Sequence, residues 1–176
     1  MVRSIRYYLG KRSRSELCNP FYSLTMSTRI LVFCLSLFIS SSIKAQDTSI
    51  VNNKIVSFCE KHIGKKVGRG ECWDLAKEAL DFAKATWTPP YDFGKTTLPN
   101  KEVLPGDIIQ FENVKIVYPD KSWKEFPHHT AIVYKVLGPG KYVIAEQNVN
   151  NKKIVTLSEI DLNFVKKGKF TLFRPQ

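Results

Sequence analysis

The chain has 176 residues, of which 27 are basic and 16 acidic, for a net charge of +11. Residues 1–45 hold seven of the basic residues and one acidic residue, so residues 46–176 carry 20 basic and 15 acidic residues, a net charge of +5. A charge of this size suits an anionic polymer or membrane surface, whereas the chain has no stripe of basic and aromatic residues and no motif of the kind that binds nucleic acid.

The first 45 residues have the pattern of a leader followed by a secretory signal peptide. A short basic stretch precedes an almost uninterrupted apolar run at 30–43, and Ala45 provides a small residue at a plausible cleavage point. The run is too short to span a bilayer comfortably, which favours a signal peptide over the alternative, a membrane anchor. We therefore expect cleavage after Ala45, with Met26 as the favoured start of translation, and a protein that is secreted, periplasmic or held in the cell envelope.

The remaining residues, 46–176, are enough for one domain with a hydrophobic core and too few for two. Two helices are predicted first. The polar residues at 47–49 can cap a helix that ends at Gly64, and a second helix runs from Cys72 to a stop at Pro89-Pro90.

Beyond Pro90 the pattern becomes mainly strand-like, with turn residues between short apolar runs. The predicted strands lie within 104–111, where a turn leads into a strand, and at 114–118, 129–136, 142–148, 153–157 and 169–174. Helices followed by strands indicate an α+β domain with a mainly antiparallel sheet.

Cys72 is the first candidate for chemistry. It follows a loop that contains Gly68 and Gly70, and it lies at the predicted N-terminus of the second helix. At that position the unpaired N–H groups and the positive end of the helix dipole favour thiolate over thiol. An isolated cysteine could instead be a small buried hydrophobic residue. The histidine and the acidic residue that follow in the chain favour a catalytic site.

Two adjacent histidines, His128 and His129, lie at the start of the strand predicted at 129–136, and their side chains should point to opposite faces of it. We favour His129 as the general base, because the small Ala131 on the same face would let the helix bearing Cys72 approach closely. His128 would then line the cleft or be solvated at the strand start.

The hairpin turn at 138–140 determines which polar residue meets His129. With its midpoint near 138–139, Glu146 and Asn148 lie on the face of His129, and either can accept a hydrogen bond from Nδ1–H and leave Nε2 to face the sulfur. A register slip of one residue would give this role to Gln147 instead.

The cysteine count leaves two further alternatives open. Removal of the leader removes Cys18 and Cys34, and in an exported protein the remaining pair, Cys59 and Cys72, could form a disulfide that blocks the nucleophile. Otherwise Cys59 is a small apolar core residue. A metal site that uses Cys59 and His62 matches no common zinc spacing, so we predict neither metal nor cofactor.

The order of these motifs resembles a known group of enzymes. Cys72 at a helix start, followed by PGDIIQF at 105–111, HTAIV at 129–133 and EQN at 146–148, resembles the CHAP and NlpC-type branch of papain-like cysteine peptidases and amidases. The segment GRGECWDLAKEAL at 68–80, with HHTAIV and EQNV, is more closely similar to the cysteine-proteinase-fold domain of fungal myosin tail region-interacting proteins.

The resemblance implies a papain-like fold in which N-terminal helices pack on an antiparallel sheet or half-barrel. It implies that Cys72 is the nucleophile, His129 the general base, Glu146 the group that orients the imidazole and Asn148 a further polar member of the site. The implied activity is hydrolysis of amide bonds in cell-wall peptidoglycan, either within its peptides or between sugar and peptide, by a protein that we expect to be a monomer. The alternative is a catalytically silent module that binds peptides or proteins. The bulky Trp73 beside the nucleophile departs from a simple match and leaves the substrate open.

Overall fold

The computed structural model describes residues 42–96 and 102–176, and residues 42–176 form one compact unit. Most of the predicted signal segment, up to residue 41, lies outside the described residues. Of the helices within the described ranges, none combines the length and apolar character needed to cross a membrane. Cleavage after Ala45 stays a prediction.

Both predicted helices are present, with ends that differ from the prediction. Helix α1 spans Ser42–His62 and thus begins before the predicted cap at 47–49. Helix α2 spans Cys72–Ala83 and begins at the predicted residue. It ends before Pro89 because Lys84 adopts a left-handed conformation, with φ of 58°, and its N–H bonds back to carbonyls of the last turn.

Within the described residues, the strands form one six-stranded antiparallel sheet in the order β1-β6-β2-β3-β4-β5. Their bounds are β1 Lys95–Thr96, β2 Ile108–Val117, β3 Trp123–Gly138, β4 Lys141–Glu146, β5 Thr156–Asp161 and β6 Val165–Arg174, with a 3-10 turn at Leu162–Phe164. The α+β class with an antiparallel sheet is confirmed. The two strands predicted within 104–118 are one continuous strand, β2.

Each face of the sheet carries a buried apolar cluster, and the two helices of the described residues pack on one of these faces. Apolar residues of α1 and α2 pack against Ile108, Ile132 and Ala145. The opposite face holds a second cluster that includes Ala131 and Phe126. The expectation that Ala131 faces the helix is therefore wrong. The apolar stripes of the helices pack against the cluster that contains Ile108, Ile132 and Ala145, whereas Ala131 belongs to the cluster on the other face.

A buried carboxylate joins the helices to the sheet at the start of β2. Asp107 accepts hydrogen bonds from the guanidinium of Arg174 at 3.1 and 2.9 Å, from the amide of Asn52 at 3.0 Å and from the backbone N–H of Leu104 at 2.8 Å. These bonds connect α1, β2 and β6. They fix α1 against the sheet on which the site is built.

Candidate active site

Cys72 is the first residue of α2, and a buried aspartate holds the loop before it. Asp74 accepts hydrogen bonds from the backbone N–H groups of Arg69 at 2.8 Å and Glu71 at 3.3 Å, and from the guanidinium of Arg69 at 2.9 Å. Burial would raise the pKa of Asp74, but these donors together lower it. Gly68 has φ of 55°, and a Cβ there would lie 2.9 Å from the Cβ of Asp74, so the loop requires glycine.

Gln147 fastens the same loop to the sheet. Its side-chain oxygen accepts from the N–H of Val67 at 2.8 Å, and its amide donates to the carbonyls of Val67 at 3.0 Å and Glu71 at 2.9 Å. Gln147 is fully buried. The end of β4 and the residue before Cys72 are thereby held together. Strand alternation placed Gln147 away from His129, but no feature of the sequence revealed this linking role.

His129 and Glu146 form a buried pair on the sheet face that lies opposite the helices. The imidazole Nε2 lies 3.0 Å from Glu146 Oε2, and the two residues are 7% and 2% exposed. The ring of Phe126 stacks on the imidazole, with centroids 5.2 Å apart. The pairing of Ile132 with Ala145 sets Glu146 level with Ala131, which is the register expected from the hairpin.

The imidazole nitrogen that meets Glu146 is not the expected one. Nε2, rather than Nδ1, lies 3.0 Å from Glu146 Oε2. His129 also hydrogen-bonds Cys72, as does the backbone of Thr130. Nδ1 is the ring nitrogen nearer the backbone, whereas the more distant Nε2 reaches the neighbouring strand.

The pKa values of the two groups move in opposite directions. Burial would raise the pKa of Cys72, but the hydrogen bond and charge of His129, with backbone donors of Thr130 and Trp73, lower it below its ordinary value of 9.0. Burial would lower the pKa of His129, yet Cys72 and Glu146 raise it to about 9. These directions favour a thiolate–imidazolium ion pair at neutral pH.

Asn148 lies beyond the end of β4 and is not brought to His129. Its φ is 64°, so the alternation that was expected to place it on that face stops at Glu146. Its amide donates instead to Glu71 at 2.6 Å, and its Oδ1 is buried without a hydrogen-bond partner in the described part of the chain. Asn148 therefore contacts the residue that precedes Cys72 rather than the imidazole.

The second histidine and the second cysteine lie outside this arrangement. The side chain of His128 is 45% exposed, with Nδ1 3.0 Å from Glu112 Oε2. Cys59 and Cys72 are both free thiols. Cys59 is fully buried in the helix-side core, and burial raises its pKa to about 12, so it is an unreactive core residue. Within 42–96 and 102–176, no group of three or more His, Cys, Asp or Glu side chains is placed to hold a metal.

Two neighbours of the site were missed from the sequence. The backbone of Thr130 hydrogen-bonds the sulfur, and the hydroxyl of Ser158 donates to Glu146. Neither Thr130 nor Ser158 belongs to a recognisable sequence motif, because each acts through its position on a strand. Trp73 is the residue that departs from the family resemblance. Its indole N–H donates to the carbonyl of Pro90 at 2.5 Å, and its ring centroid lies 6.0 Å from that of Trp87.

Comparison with known proteins identifies sequences that are similar to this chain. Residues 45–176 match the family model of the AIM3/BBC1 cysteine proteinase-fold domain. The chain is similar to Altered inheritance of mitochondria protein 3 of Debaryomyces hansenii, with 33% identity over an alignment that covers 78% of this chain and 18% of the relative. The chain thus spans 18% of the length of that curated relative.

Solved structures also align with the chain. They include the crystal structure of Ly7917 and the crystal structure of Ly7917 with the hydrolyzing product of MDP. Each has a TM-score of 0.46 and 17% identity, and each alignment covers 70% of this chain and 62% of the other.

Proposed function

The chain belongs to the AIM3/BBC1 cysteine proteinase-fold family, and on this premise we propose that it is a cysteine hydrolase that cleaves amide bonds. One observation carries the proposal. A thiol with a lowered pKa lies at a helix N-terminus and is hydrogen-bonded to His129, whose Nε2 is 3.0 Å from a buried carboxylate. This combination is the general form of an activated nucleophile with an oriented base.

In the acylation step the thiolate of Cys72 attacks the carbonyl carbon of an amide, and the carbonyl electron pair moves to oxygen. Backbone N–H groups in the first turn of α2 are unpaired within the helix and can donate to this oxyanion. When the tetrahedral intermediate collapses, the C–N bond breaks and the imidazolium of His129 gives its proton to the leaving amine.

In the deacylation step a water molecule attacks the thioester carbonyl. His129, now neutral, takes a proton from the water, and Cys72 leaves as thiolate when the C–S bond breaks. The products are an amine and a carboxylic acid, and the protein returns to the thiolate–imidazolium pair. Glu146 accepts the hydrogen bond from Nε2–H and orients the ring.

For the substrate we propose amide bonds of peptidoglycan, within its peptides or between sugar and peptide, and for the location the cell envelope. Two features support this choice. The apolar segment at 30–43 is typical of a secretory signal, and the net charge of +5 on residues 46–176 favours an anionic polymer as partner.

Peptidoglycan digestion tests the proposal directly. The full chain is incubated with purified peptidoglycan, and released fragments are identified by mass spectrometry. We expect fragments from the wild type and from His128→Ala, the matched control for the neighbouring histidine, and none from Cys72→Ala or His129→Ala. Fragments released by Cys72→Ala at the wild-type rate, or none released by the wild type, would contradict the proposal.

The fungal relative favours a second candidate, an interaction module that keeps the fold without turnover. The observation is that a protein named for inheritance of mitochondria aligns with 78% of this chain at 33% identity. A thiol-reactive probe separates the two candidates. Rapid, pH-dependent labelling of Cys72 supports the hydrolase, and labelling no faster than that of a free cysteine supports the module.

A further inference from the structure

The carboxylate of Glu146 has a second hydrogen-bond partner that the proposed mechanism does not use. Ser158 donates through its hydroxyl to Oε1, while Oε2 bonds His129. Each oxygen of this carboxylate, which is 2% exposed, therefore has one donor among the described residues. A buried carboxylate oxygen without a donor is costly, so the hydroxyl stabilises one orientation of Glu146.

The sheet itself determines the position of this hydroxyl. Glu146 on β4 pairs with Thr156 on β5, and Ile144 pairs with Ser158. Because side chains alternate along a strand, Glu146 and Ser158 lie on one face as diagonal neighbours, within reach of a long side chain. Two hydrogen-bonded strands thus hold both ends of the contact.

A lysine orients the hydroxyl. Lys124 Nζ lies 3.2 Å from Ser158 Oγ and 2.8 Å from the carbonyl of Glu159. An ammonium has only donors, so Ser158 must accept from Lys124 and point its single proton elsewhere. That proton is then available to Glu146. The contacts form a continuous chain from Lys124 through Ser158, Glu146 and His129 to the sulfur.

An open groove explains why Glu146 needs this support. Glu146, Ser158 and Lys124 line a surface groove with a volume of about 580 Å³, and no lining residue belongs to α2. Glu146 has three side-chain torsions, and the groove is the space into which its carboxylate could turn. Without the bond from Ser158, the carboxylate is free to rotate toward the groove and lose its contact with Nε2 of His129.

We propose that Ser158 is a positioning residue of this site, which holds the carboxylate of Glu146 against His129, and that Lys124 aligns its hydroxyl. The inference rests on the proposed function, because it assigns a role in maintaining the reactive pair of Cys72 and His129.

The test is the pH profile of Cys72 alkylation by iodoacetamide in the full chain, read for each cysteine peptide by mass spectrometry. In Ser158→Ala we expect the rate at pH 7 to fall about tenfold, the effect of one hydrogen bond to a charged group. Ser158→Thr keeps the hydroxyl and should restore the rate. Thr156→Val removes a hydroxyl of the same strand and face that donates to the backbone carbonyl of Glu146 at 3.4 Å and not to its carboxylate, and should leave the rate unchanged.

Lys124→Met provides a second variant in case Ser158→Ala fails to fold, and we expect a fall of about threefold, since the hydroxyl remains but is no longer aligned. Fast wild-type labelling with an unchanged rate in Ser158→Ala, or in Lys124→Met where it is the only folded variant, would overturn this inference alone. An equal loss in Ser158→Thr and Ser158→Ala would also overturn it. Slow labelling of the wild type would instead overturn the proposed function.

Discussion

Replacement of Glu146 by glutamine removes one charge from the site and changes little else. The amide oxygen can still accept from His129 Nε2, and the amide nitrogen can donate to Ser158. The pKa of His129 is raised from 6.5 to about 9 by Cys72 and Glu146 together, against burial. The difference corresponds to roughly 3 kcal/mol, at about 1.4 kcal/mol for each pH unit. If Glu146 supplies a third to a half of this free-energy difference, Glu146→Gln lowers the pKa of His129 by about one pH unit.

Histidine titration by NMR measures this change directly. The chain has three histidines, His62, His128 and His129, so the imidazole signals can be assigned with single substitutions. Glu112→Gln is the matched control, because Glu112 lies 3.0 Å from His128 in a pair of the same chemistry that is exposed. It should leave the titration of His129 unchanged.

The variant that combines Cys72→Ala with Glu146→Gln extends the test. With both supports removed, burial alone should hold the pKa of His129 below 6.5. A wild-type His129 that titrates near 6.5, or one whose pKa stays near 9 in Glu146→Gln, would refute the assignment of Glu146 as the charge that stabilises the imidazolium.

Three further predictions concern the scaffold of the site, and each is measured by urea unfolding. Gln147→Leu leaves a buried N–H and two carbonyls without their partner, so we expect a loss of about 2–4 kcal/mol and slower alkylation of Cys72. Arg174→Ala leaves the buried carboxylate of Asp107 without its cation and should cost about 3–5 kcal/mol. The pKa of Asp74 is lowered in the folded protein, so its contribution to stability is present above the unfolded pKa near 3.8 and is lost as the pH falls through the folded pKa. Between pH 5 and 2 the wild type should therefore lose more stability than Asp74→Asn.

An exposed ion pair serves as the control for these stability measurements. Lys77 and Asp81 lie 2.8 Å apart on the surface of α2, and Lys77→Ala should leave the free energy of unfolding nearly unchanged, because an exposed ion pair contributes little. A loss in Gln147→Leu or Arg174→Ala as small as that in Lys77→Ala would contradict the structural roles given to them. Parallel acid unfolding of the wild type and Asp74→Asn would contradict the role of Asp74.

Features that depend on local rules could be predicted from the residue pattern. Glycines followed by a polar residue and an amphipathic stripe set the start of α2 at Cys72, where the chemistry of a helix N-terminus is available. The alternation of side chains along β3 and β4, with one hairpin between them, was enough to place Glu146 with His129 and to turn Gln147 away. These rules involve residues close in the chain or joined by one turn.

Features that depend on contacts between distant elements could not be predicted in this way. Since both faces of the sheet are buried, alternation could not tell which face receives the helices, and Ala131 was assigned to the wrong one. The left-handed backbone of Asn148 ended the alternation and took that side chain to Glu71. The imidazole nitrogen that meets Glu146, and the hydrogen bond from Ser158 to that carboxylate, follow from distances between β3, β4 and β5, which no local pattern in the chain records.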